Sequence, residues 1–153
     1  MRARVLHQYR VKRCAAWSTS ACILQSLKGR YMSISIPTML WICITLFAIA
    51  AAGGLVMAGV RASAKRNPPA WLALLHGLLA GAGLTLLLLV YFTAGLPTLA
   101  AWALLLFLVA AAGGVFLNLG YQWQQRPLPL PLMYGHALIA VVGFVLLIVA
   151  ALA

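Results

Sequence analysis

The chain has 153 residues, of which 65% are hydrophobic and 7% charged, with eleven Lys and Arg and no Asp or Glu. A soluble domain carries roughly a quarter charged residues, so this composition points to a lipid solvent rather than water. The missing carboxylates exclude carboxylate acid/base pairs, a Ser-His-Asp triad, and carboxylate-rich Ca²⁺ or Mg²⁺ sites.

The positive charge is unevenly placed. Arg2, Arg4, Arg10, Lys12, Arg13, Lys28 and Arg30 precede the first apolar stretch, and only Arg61, Lys65, Arg66 and Arg126 follow. Basicity therefore belongs to the segment 1–36, and no nucleic-acid partner is expected. Three explanations suit that segment. The natural start is Met32, or the segment is an Arg- and Ser-containing targeting peptide that is removed, or it is a basic arm on anionic lipid. Cys14, Cys22 and Cys43 form no C-x-x-C and no zinc-type spacing. Cys43 lies within an apolar stretch and is expected to pack as a small apolar residue.

Four stretches are long enough to cross about 30 Å of hydrocarbon as helices. They run over Pro37–Val60, Trp71–Thr93, Pro97–Leu119 and Leu132–Leu152, and none contains Lys, Arg, Asp or Glu. Pro37 and Pro97 stand at helix starts, where proline is tolerated. Asn67-Pro68-Pro69 breaks the first connection, and Pro127, Pro129 and Pro131 break the third. The second connection, Ala94-Gly95-Leu96, is short enough to make an antiparallel pair. Trp41, Tyr91 and Trp102 fall near one membrane face, and Trp71, Tyr121, Trp123 and Tyr134 near the other.

A shift of sixty residues superimposes the two halves without a gap. Pro37-Thr38 falls on Pro97-Thr98, Phe47 on Phe107, Ala50-Ala51-Ala52-Gly53-Gly54 on Ala110-Ala111-Ala112-Gly113-Gly114, Arg66 on Arg126, His76 on His136, and Gly83 on Gly143. Matches of Ala and Leu carry little information in this composition; matches of Pro, Phe, Gly-Gly, Arg and His do. The expected fold is an all-α membrane domain over 37–153, a tandem parallel duplication of a two-helix unit with copies at 37–90 and 97–150. A pseudo-two-fold axis would run along the membrane normal, placing His76 and His136 at one depth. Arg61, Lys65, Arg66 and Arg126 put the first and third connections on the cytoplasmic side, against the pull of the basic N-terminal segment. A bacterial-type inner membrane is the expected site, with the mitochondrial inner membrane as the alternative.

His76 and His136 lead the candidate residues, since ionisable groups within a membrane mark function by default. Each opens a stripe His-x-x-x-Ala-x-x-Gly, ending at Gly83 and Gly143. One reading is close helix packing, with each imidazole bonded across to a carbonyl, a hydroxyl or Asn118. The other is a haem b bound between the two histidines, with Gly83 and Gly143 leaving room for the macrocycle and Arg66 and Arg126 meeting its propionates. A transition metal or a proton path between the imidazoles is a further option, although two imidazoles alone make a poor metal site.

Asn118, whose counterpart is Ala58, continues the stripe Ala110-x-x-x-Gly114-x-x-x-Asn118 and is expected to face another helix or to orient a histidine. Gln122, Gln124 and Gln125 read as loop solvation, and the basic residues of the connections as topology determinants. Three roles remain open: an accessory membrane subunit joined to a protein partner or to further copies of itself, a haem b electron-transfer component, and a small transporter or channel. An enzyme acting alone is the weakest expectation.

Overall fold

Proline sets where the helices begin. The computed structural model describes residues 35–153, and the basic segment with Cys14 and Cys22 lies outside the described residues. Helix α1 spans Ile36–Ala64, α2 Ala70–Thr93, α3 Thr98–Leu117 and α4 Leu130–Leu152. Pro37 is the second residue of α1, and Pro69, Pro97 and Pro129 immediately precede the other three. A helix leaves its first N–H groups unpaired, so proline removes nothing there and presets the backbone.

The helix ends are set by left-handed residues. Gly95, at φ +77°, turns the chain between α2 and α3, a conformation glycine adopts without a steric penalty. Lys65 ends α1 at φ +53°, and Gln125 ends the third helical run at φ +55°. A left-handed residue just past a helix is a common stop. Here it falls on non-glycine residues sixty positions apart, so composition gives no warning of it.

All four helices are long and apolar enough to cross a membrane, and no strand occurs among the described residues. Most of their surface points outward, with between 17% and 28% of each apolar window buried. Leu55, Leu74, Leu78, Phe92, Phe116 and Leu138 are all exposed. An apolar surface this extensive suits hydrocarbon rather than water. The hydroxyls of Thr45, Ser63, Thr85 and Thr93 each donate to the carbonyl four residues back, so these polar groups are satisfied within their own helices.

Helices α1 and α2 pack as one hairpin and α3 and α4 as another, with smaller contacts of α1 on α4 and α2 on α3. Going round the bundle, the order is that of the chain, which leaves α1 diagonal to α3 and α2 diagonal to α4. The core lies toward the α2–α3 connection. It is built from Leu40, Cys43, Ile44 and Phe47 of α1, Leu87 of α2, Ala100, Ala103, Leu104 and Phe107 of α3, and Leu147 and Ala150 of α4. Cys43 is fully buried and unpaired, packing as a small apolar residue. Across the α1–α3 diagonal the rings of Phe47 and Phe107 stack with centres 4.0 Å apart and planes 11° from parallel. Shifted by sixty, each buried core residue of α1 falls on one of α3, and Leu87 falls on Leu147.

At the opposite end, the first and third connections are joined by four hydrogen bonds. Asn67 donates from Nδ2 to Arg126 O (2.7 Å), and its Oδ1 accepts from Leu128 N (3.0 Å). Arg61 Nε donates to Leu128 O and Gln122 Nε2 to Pro68 O, both at 2.8 Å. The apposition depends on a π-helical turn over Asn118–Gln122 that follows α3. Its bonds reach five residues back, as from Trp123 N to Asn118 O at 2.7 Å, and Gln122 comes out buried within it. The sequence placed the end of this helical run at Leu119; the wide turn carries it to Gln122.

Candidate functional site

The site is built from two histidines and the backbone of the helices they face. His76 lies on α2 and reaches α1, with Nδ1 2.8 Å from Ala50 O. His136 lies on α4 and reaches α3, with Nδ1 2.9 Å from Ala110 O. Within a helix each of these carbonyls already serves the amide four residues on, so the imidazole takes the second lone pair. It can approach because that fourth residue is glycine. A Cβ at Gly54 would lie 3.3 Å from His76 Cε1, and one at Gly114 would lie 3.2 Å from His136 Cε1. The Ala50–Gly54 and Ala110–Gly114 runs thus supply both the acceptor and the hollow in which the ring sits.

The hydrogen bond also selects the tautomer. A carbonyl only accepts, so Nδ1 carries the proton and Nε2 of the neutral ring carries the free lone pair. Neither Nε2 makes a hydrogen bond among the described residues. The two rings are partly buried, with centres 6.3 Å apart and planes at 71°. Of the partners the sequence leaves open for each imidazole, a carbonyl, a hydroxyl or Asn118, the structure shows the carbonyl.

The expected surroundings of the pair need correction. Gly83 and Gly143 do not open space beside the imidazoles. A Cβ at Gly83 would stand 3.1 Å from the Phe47 ring, and one at Gly143 would stand 3.2 Å from Leu106 Cβ, so side chains of α1 and α3 occupy that volume. Both glycines lie two helical turns from their histidines. Asn118 is exposed at the start of the π-helical turn and bonds to neither histidine; Ala50 and Ala110 orient the rings instead. A residue four positions on advances about 40° beyond a full helical turn, so the stripe from Ala110 through Gly114 winds out of the interface before it reaches Asn118. Arg66 and Arg126 are exposed in the two connections at the histidine end.

Gln122 is not a solvated loop residue. It is buried, donates to Pro68 O, and leaves its Oε1 without a partner. Asn67 escaped notice because its role depends on the second connection coming alongside the first. Among the described residues, no three of His, Cys, Asp and Glu come together as a metal would require.

Gly77 and Gly81 form a G-x-x-x-G on the outer face of α2, and a Cβ at either would meet nothing within 4 Å. Sixty residues on, the same positions hold Ala137 and Val141. No known family matches the chain, and neither a curated protein nor a solved structure is similar to it.

Proposed function

We propose that the chain is a small multi-pass membrane protein made of two copies of one helical hairpin, acting as an accessory subunit that holds a helix of another membrane protein. The first part rests on the recurrence at one offset of the histidine–carbonyl bond, the glycine seat under the ring, the stacked phenylalanines and the left-handed helix stops. Two copies inserted in the same sense share an axis along the membrane normal. The basic first and third connections face the cytoplasm of a bacterial-type inner membrane on this reading.

The subunit role is carried by the open Gly77–Gly81 groove. In lipid, apolar surface alone does not drive helices together; close backbone approach at small residues does. The two histidines close each hairpin internally, which leaves this outer face as the place where a further helix gains contact. The chain has no carboxylate to assemble with the imidazoles into acid/base machinery.

The test is the mass of the chain extracted from its own membrane in mild detergent, beside Gly77→Leu/Gly81→Leu. The expected result is a stoichiometric complex with a second membrane protein, which the double variant loses while remaining folded. A monomeric wild type overturns the subunit role. A dimer of the chain replaces the partner with a second copy.

A further inference from the structure

We infer that His76 and His136 form the axial ligand pair of an iron porphyrin seated across the α2–α4 diagonal. The inference builds on the paired-hairpin membrane reading and is independent of any protein partner.

The ligand class follows from the donor set. Each imidazole presents one free nitrogen, Nε2, because Nδ1 is tied to a backbone carbonyl. That is the usual support of a ligating histidine, whose other ring nitrogen donates outward and fixes the ring. No third His, Cys, Asp or Glu joins the pair among the described residues. A bare transition-metal ion needs more donors than two. A metalloporphyrin brings four nitrogens of its own and needs only the two axial ones.

The spacing fits that class. With both Nε2 atoms turned to one iron, a metal–imidazole bond of about 2.0 Å, with the ring centre about 1.1 Å beyond the nitrogen, sets two axial ring centres roughly 6.2 Å apart. The observed separation is 6.3 Å. Crossed ring planes are no obstacle, because rotation about the metal–nitrogen bond leaves the bond length unchanged.

The helices of the other diagonal offer the seat. A macrocycle held by both nitrogens stands across the line joining the rings and presents its edges to α1 and α3. The residues those helices turn toward the imidazoles are Gly53, Gly54, Gly113 and Gly114, which project no side chain. The Phe47–Phe107 stack closes the bundle centre on the core side. On the other side, the connections carry exposed Arg66 and Arg126, cations of the sign that the two propionates require. The glycine pairs seat the imidazoles that would hold the iron, and Gly83 and Gly143, covered by Phe47 and Leu106, have no part in it.

The experiment is a titration of the full chain in detergent micelles with haemin, read by visible absorption and by ferric electron paramagnetic resonance. Wild type is expected to bind one equivalent and give a six-coordinate low-spin spectrum. His76→Ala and His136→Ala are expected to bind roughly tenfold or more weakly, in a five-coordinate high-spin form that added imidazole returns to low spin. Far-ultraviolet circular dichroism establishes that each variant retains its helices. A high-spin ferric signal from folded wild type overturns the site whatever the variants do, and so does a haemin spectrum indifferent to both substitutions. Gly77→Leu/Gly81→Leu should leave the haemin spectrum unchanged, so loss of the partner and loss of the porphyrin are separate outcomes.

Discussion

Two glycines one position apart from being neighbours on α2 should respond to the same substitution with opposite signs. Gly81→Ala adds a methyl where nothing lies within 4 Å. Its effect is the helix-propensity difference between Gly and Ala, a gain of at most about 1 kcal/mol. Gly83→Ala places the methyl 3.1 Å from two atoms of the Phe47 ring and 3.3 Å from a third. The ring cannot retreat, because its other face lies against Phe107 with centres 4.0 Å apart. Overpacking of a filled core costs about 1–3 kcal/mol, which outweighs the propensity gain. We expect Gly83→Ala to be less stable than Gly81→Ala by about 2 kcal/mol. Unfolding of the isolated chain by sodium dodecyl sulfate in mixed micelles, followed by circular dichroism, measures the difference. Equal shifts of the same sign for both variants would refute the reasoning, because they would mean that Phe47 does not pack on Gly83.

The stacked pair predicts a coupling of about 0.5–1 kcal/mol in a double-mutant cycle of Phe47→Ala and Phe107→Ala, at the low end for aromatic pairs because near-parallel stacking is not the preferred geometry. Additive effects in the same micelle unfolding assay would show the rings to be out of contact. Asn67→Ala removes two bonds between the connections and should cost about 1–2 kcal/mol. It should also speed tryptic cleavage after Lys65 and Arg66 in the first connection, and an unchanged cleavage rate would show that the connections are held by other means. Lys65→Gly and Gln125→Gly each relieve a left-handed non-glycine residue and should stabilise the chain by up to about 1 kcal/mol. A loss of stability at both positions would mean that neither residue is left-handed.

Much of the site was legible because its two halves recur in the sequence. His76 and His136 stand out at one offset together with the Ala-Ala-Ala-Gly-Gly runs that seat them. The pairing of imidazole with carbonyl was one of several options, since it depends on which side of α1 faces α2. Asn118 was misassigned because a four-residue stripe drifts around a helix of 3.6 residues per turn. Gln122 reads as a solvated loop residue in the sequence because nothing local announces the single π-helical turn over Asn118–Gln122 that brings it inside. Gly83 and Gly143 suit either close packing or room for a macrocycle in the sequence, and the volume they release is taken by Phe47 and Leu106.

Composition and hydrophobic run length by themselves determined the four helices and their being long and apolar enough to cross a membrane. In hydrocarbon the backbone must satisfy itself within each segment, so an uncharged apolar run of sufficient length has little alternative to a helix. Proline position determined where those helices begin. Only the tertiary structure decided which glycines are filled and which lie open, which carbonyl each histidine takes, and that the two imidazoles stand 6.3 Å apart. Those facts depend on helix rotation and crossing, which side-chain volumes from several helices set jointly and no single segment encodes.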